Sequence, residues 1–267
     1  MKDWFAYLRS TAGVDLSVAH CEQHKRTAQE AVDNATVAGI TATMWSSDKR
    51  NDTLVFRDGI VTGKKHWVSN IPAGGYAILH ATEDDHQVII AVDSADAQVE
   101  MVATVGMEKT YTGHLTFGSA KSVKLFDFRT DFREIRKLYN HHGLAFVSVM
   151  MGLSESLYKN ICCTDRNVYD RNIELNLSMC DLLWNKLLEN KDWDQHIFAH
   201  GPEEYTTFYS FAKATLIDVY TLGLKVNHSN VYSESDPNYQ QLKDALIYIS
   251  HMKNLYESIN SKQVLQF

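Results

Sequence analysis

The chain has 267 residues, of which 45% are hydrophobic and 22% charged, and a formal net charge of -7. That is ordinary for a globular protein and long enough to bury a substantial core. The acidic balance without a basic face argues against nucleic acid as a partner. No apolar run reaches the length of a membrane span, the longest lying around Leu144–Met151. The start Met1-Lys2-Asp3-Trp4-Phe5 lacks the apolar core and cleavage site of a secretory signal, so a cytoplasmic location is expected.

Residues from about 2 to 33 read as helical. Asp15 or Ser17 is a candidate cap for a helix carrying Val18, Cys21, Ala28 and Val32. From about residue 37 to 126 short β-rich runs alternate with turn residues. They are Gly39–Trp45, Thr53–Phe56, Gly59–Val61, His66–Ile71, Tyr76–His80, Gln87–Val92, Val99–Val105, Thr112–Phe117 and Ser122–Phe126. Asp58-Gly59, Gly74-Gly75 and Glu83-Asp84-Asp85 mark turns between them. Many short strands at this spacing predict an antiparallel barrel or sandwich.

Near Asp131 the period becomes helical. Leu138, His142, Ala145, Val149 and Gly152 share one face, and a second helix is predicted from about Asn172 to Asn190. A third is predicted from Glu203 to about Val226 and a fourth from Pro237 to about Ser258, the prolines marking helix starts. The expected fold is α+β: an antiparallel β-barrel or sandwich followed by a C-terminal four-helix bundle, with a short N-terminal helical segment. The expected divisions are residues 1–35, 36–128 and 129–267.

Four cysteines, Cys21, Cys162, Cys163 and Cys180, show no Cys-x-x-Cys spacing and read as reduced thiols. His20 and His24 are four apart, but no His-Glu-x-x-His accompanies them, and no metal site is assigned.

The most informative segment is Asp58-Gly59-Ile60-Val61-Thr62-Gly63-Lys64-Lys65-His66-Trp67-Val68-Ser69-Asn70. On a regular strand Trp67 and Ser69 would share a face. A flat ring beside a hydroxyl suits a planar cofactor with a polar edge, such as a flavin. The alternative is a Trp that only packs on a half-exposed strand.

The segment resembles the middle β-domain signature of the acyl-CoA dehydrogenase superfamily, D-G-x-x-x-x-G-x-K-x-W-[IV]-[ST]-N, which contacts flavin in that family. Gly63, Lys65, Trp67, Ser69 and Asn70 fall in place, although the spacing after Asp58-Gly59 is shorter. Tyr76–Ala81, Val105-Gly106-Met107, Leu115-Thr116-Phe117 and Leu144…Met151-Gly152-Leu153 follow in the family's order. The resemblance covers most of the chain, but the family's helical first domain is much longer than the segment before Glu30. It implies FAD as cofactor, with Trp67 and Ser69 against the flavin and Thr43, Ser46 and Ser47 as hydroxyl donors.

The departures bear on activity. Thr41–Asp48 stands where the family has T-E-P-x-x-G-S-D, without the Glu, Pro or Gly. The family's Arg-x-x-Phe-Gly has no clear counterpart near Arg166–Arg171. Tyr256-Glu257-Ser258 stands near the place of the family's Tyr-Glu-Gly-Thr turn, so Glu257 is the candidate base. The implied reaction is oxidation of an acyl thioester: a carboxylate takes the α-proton and the flavin accepts the β-hydride. Two alternatives stand beside it. One is a reduced-flavin-dependent monooxygenase of the same fold, which needs no such Glu. The other is a non-catalytic scaffold without flavin, acting as a partner subunit. The expected partners are a second copy, in a homodimer or tetramer, or a full-length homologous subunit, with an acyl-CoA-like ligand. The interface is expected on bundle helices around Leu144–Gly152 and Leu175–Leu187.

Overall fold

The computed structural model describes residues 2–46, 52–104, 107–164, 168–189, 202–228, 239–246 and 248–249. These residues fall into two compact units. One comprises the described residues within 1–20, 105–107 and 143–267, and the other those within 21–104 and 108–142.

Among its described residues the second unit is built on seven strands: β1 (Ala42–Ser46), β2 (Val55–Arg57), β3 (Ile60–Val68), β4 (Tyr76–Glu83), β5 (His86–Asp93), β6 (Gln98–Met101) and β7 (Gly113–Asp127). The pairings β4–β2, β2–β3, β3–β7, β7–β5 and β5–β4 return to their starting strand, so the sheet closes into a barrel. Strand β1 lies parallel beside β4, and β6 lies antiparallel beside β7. Met44, Phe56, Val61, Ala77, Leu79, Val88, Ile90, Val92, Leu115 and Phe117 belong to one apolar cluster. Ile78, Ile89 and Ala91, the alternate residues of β4 and β5, belong to another. There they meet Ala28, Ala31 and Val32 of helix α2 (Leu16–Asn34) and Ile135 and Leu138 of helix α3 (Phe132–Thr164). Both faces of these two strands are covered, which is why they read as continuous apolar runs rather than alternating ones.

Nine predicted β-runs became seven strands. Gly59–Val61 and the start of His66–Ile71 join in β3, and Thr112–Phe117 joins Ser122–Phe126 in β7. Gly63 does not end β3. It continues the strand at φ 111 through an irregularity in register against β7. An added Cβ there would stand 2.1 Å from the Thr53 carbonyl oxygen, so only glycine fits that approach.

The first unit is helical. Helix α1 (Lys2–Ala12), the opening of α2, α3 from residue 143, α4 (Arg171–Glu189), α5 (Pro202–His228) and the helical residues 239–246 contribute to it. Its core gathers Phe5, Leu8, Leu16, Phe146, Met150, Leu157, Ile173, Trp184, Phe208, Leu216 and Tyr248. Asp15 caps α2, its carboxylate accepting the Val18 amide at 3.2 Å. The described part of the fourth predicted bundle helix is helical at residues 239–246. Among the described residues no helix is long and apolar enough to cross a membrane.

The face around Leu144–Gly152 differs from its expectation as an interface. Leu144, Ala145, Val149 and Met150 are fully buried inside the helical unit of the chain itself. The exposed apolar stripe lies on α4, where Leu175, Met179, Leu182 and Leu183 recur at helical spacing.

Candidate flavin site

The Trp67 segment leaves regular β-geometry where the sequence pattern predicts chemistry. Trp67 has φ 58 and Asn70 φ 69, both in the left-handed region. Asn tolerates that region, whereas a bulky ring does so at a cost of about 1–3 kcal/mol. The pairing of β3 with β7 shifts between Lys65 and Val68, so an extra residue enters the strand there.

This bulge breaks the expected alternation. Trp67 and Ser69 do not form one shelf. Trp67 is 48% exposed, while Ser69 is buried with its hydroxyl 3.0 Å from Thr112 Oγ1. Thr112 Oγ1 in turn lies 2.9 Å from Thr110 Oγ1. Ser69, Thr112 and Thr110 thus form a buried chain of hydroxyls. The sequence reading missed Thr110 and Thr112, although the run Thr112–Phe117 already placed the latter on a strand.

Strand β1 is tied to this segment through Asn70. Its side-chain amide donates to the Thr43 carbonyl at 3.0 Å, and its backbone amide donates to the Thr110 carbonyl at 2.7 Å. The Thr43 hydroxyl donates to the Gly74 carbonyl. Ser46 is buried at the end of β1, opposite Leu79. The fold therefore brings Thr43 to the Trp67–Asn70 turn. Ser47 and Glu257 lie outside the described residues.

Behind the ring stands a charged network. Lys65 is fully buried, with Nζ 2.6 Å from Asp52 Oδ2. Asp52 Oδ1 accepts the His66 amide at 2.9 Å and lies 3.2 Å from His66 Nδ1. The His66 ring sits 4.8 Å from that of His114, and His114 meets Trp67 edge to face at 5.7 Å. Lys64 pairs with Glu100 at 2.8 Å. Burial, then the charges of His66 and Lys64, push the His114 pKa below its ordinary 6.5, while Glu100 and Asp52 pull the other way. The fold therefore favours the neutral ring. That preference stabilises the protein above the unfolded value and is lost as pH falls through the lower folded value. NMR titration is expected to give His114 a midpoint below 6.5, and His66→Ala is expected to raise it. A His114 midpoint at or above that value would refute the arrangement.

Trp67 is open to a planar ring, while the Thr43 hydroxyl holds the Gly74 carbonyl and the Ser69 hydroxyl meets Thr112. An isoalloxazine offers a flat face to an aromatic ring and a mixed donor–acceptor edge, which hydroxyls can meet in either sense.

No protein-family model matches this sequence, and no curated protein matches it. Solved structures do resemble the fold. Butyryl-CoA dehydrogenase from Megasphaera elsdenii matches with a TM-score of 0.72 at 12% identity, over 91% of this chain and 76% of that one. The HsaA monooxygenase from M. tuberculosis matches with a TM-score of 0.69 at 13% identity, over 94% and 78%. TdsC from Paenibacillus sp. A11-2, in a complex with FMN and indole, matches with a TM-score of 0.66 at 14% identity, over 99% and 84%. The chain has an acyl-CoA dehydrogenase-like fold.

Proposed function

We propose that this chain is a flavin-dependent oxidoreductase that holds FAD against Trp67 and acts on an acyl thioester or a related substrate. The observation that carries this reading is the Trp67 ring, half-exposed on a left-handed backbone beside hydroxyl-bearing segments. A core Trp would gain nothing from such a backbone, whereas a ring that must face a planar ligand gains its aim. Thr43, Ser46, Ser47 and Ser69 are the proposed polar contacts to the flavin, Ser69 by rotating its hydroxyl from Thr112. Glu257 is the proposed base, placed by the resemblance of Tyr256-Glu257-Ser258. When bound, the flavin supplies the hydride acceptor, and the protein positions the substrate against it.

A second reading is monooxygenation with reduced flavin. Two of the structural neighbours favour it: one is named a monooxygenase, and another holds FMN with indole rather than a thioester.

The test is the visible spectrum of the purified protein before and after addition of FAD, run on wild type and Trp67→Ala. Flavin uptake is expected in the wild type. The variant should bind more weakly by about 1–3 kcal/mol, the range for aromatic stacking on planar bases. Because the ring is exposed, the same change should cost only about 1 kcal/mol or less of stability. A colourless wild type that takes up no FAD decides for the scaffold.

Assembly with a second copy, or with a full-length homologous subunit, belongs to the same proposal. The exposed Leu175, Met179, Leu182 and Leu183 of α4 support it. Light scattering at micromolar concentration is expected to give at least twice the 30.4 kDa chain mass. A monomeric mass would count against it.

A further inference from the structure

We propose that Glu83, His86 and Asp127 bind a divalent transition cation at one end of the barrel. This site is independent of the flavin reading. Three strand ends supply it: Glu83 closes β4, His86 opens β5 and Asp127 closes β7. The sheet ladder fixes their meeting. Glu83 pairs with His86 across the hairpin, and Val88 of β5 pairs with Asp127.

The geometry is that of a ligand set. His86 Nε2 lies 3.1 Å from Asp127 Oδ2 and 3.4 Å from Glu83 Oε2. The three ligating atoms all lie within 4.8 Å of one another. Ligands on a tetrahedral zinc, at about 2.0–2.1 Å from the metal, stand about 3.3 Å apart. Both His86 distances match that edge. The side chains are held in place: His86 is 9% exposed, Asp127 15% and Glu83 20%.

Each partner is arranged for its part. Asp127 divides its oxygens. Oδ1 accepts the Arg129 amide at 2.8 Å, and Oδ2 faces His86. His86 Nδ1 is buried and has no hydrogen-bond partner among the described residues, with the Asp85 carboxylate 3.7 Å away. A small approach by Asp85 would fix the tautomer that presents Nε2 to a metal, the usual outer support of a ligating imidazole. Lys124 Nζ now lies 2.7 Å from Glu83 Oε2. Its side chain is 38% exposed and can turn into solvent when a cation arrives. One imidazole with two carboxylates suits zinc or manganese better than magnesium or calcium. Three protein ligands leave a further position for water. The ion would clasp the β4–β5 hairpin to the end of β7.

The competing arrangement is His86 Nε2 shared between the two carboxylates with no metal at all. Titration calorimetry with zinc chloride and manganese chloride on the chelator-stripped full chain separates the two. The expected result is uptake of one equivalent, with a melting temperature raised by several degrees. Glu83→Gln, His86→Asn and Asp127→Asn should each weaken binding at least tenfold. Lys124→Met, which keeps all three ligands and removes the competing charge, should tighten it. Bound cobalt should show ligand-field bands without thiolate charge transfer. Absence of uptake, uptake unchanged in the ligand variants, or a thiolate band would overturn the proposal. Should His86→Asn fail to fold, Lys124→Met still decides, because unchanged affinity in it overturns the site.

Discussion

Asp52→Ala is expected to cost about 3–5 kcal/mol of folding stability, the range for removing one partner of a buried ion pair. The Asp52 side chain is 3% exposed and the Lys65 side chain 0%. Lys65 Nζ approaches Asp52 Oδ2 to 2.6 Å, so the variant leaves a buried ammonium without the carboxylate that faces it. The same carboxylate holds the His66 amide and ring, and His66 stands against His114 beside Trp67. Loss of Asp52 should therefore weaken flavin uptake as well. The double variant Asp52→Ala with Lys65→Met removes both charges and should recover part of the loss, since an apolar replacement of a buried pair is often neutral. Urea unfolding of the two variants checks this. Equal losses in both would show that burial of the pair is not what sets the cost.

Much of this fold was legible because its elements obey local rules. The helices follow a 3.6-residue apolar period with recognisable starts. Asp15 caps α2, and α5 begins at Pro202. The strands were legible as runs but not as units. The runs Gly59–Val61 and His66–Ile71 read as separate in the sequence, yet the permissive backbone of Gly63 between them carries β3 past Thr53 as one strand. The candidate site shows the same limit. The segment that carries Trp67 was visible from its residues, but the bulge that exposes the ring and buries Ser69 was not, because a bulge changes strand parity without a residue-type signal. Lys65 was legible only as part of the signature, and its buried pairing with Asp52, thirteen residues earlier, carries no local signal. Glu83, His86 and Asp127 form no local motif: His86 and Asp127 are 41 residues apart, and only the ladder brings them together.

Gly152→Ala tests the helical unit where the chain has no room to adjust. In an isolated helix this change stabilises by about 1 kcal/mol, because glycine is the poorer helix former. Here the sign is expected to reverse. The new Cβ would stand 1.9 Å from the Arg9 carbonyl oxygen, 2.7 Å from its carbonyl carbon and 3.0 Å from its Cα. All three are backbone atoms of α1, so no side chain can swing aside. Helix α1 must lift from α3, which loosens Phe5, Leu8 and Ala12 from the core and draws Arg9 away from Glu155 and Asp181. A loss of about 3 kcal/mol is expected, at the upper end of ordinary overpacking. Gly118→Ala is the matched control. Nothing lies within 4 Å of its Cβ position, and the change should be close to neutral. Thermal unfolding of the pair separates crowding from propensity. A Gly152→Ala protein that melts at or above the wild-type temperature would mean that α1 does not cross α3 at this distance.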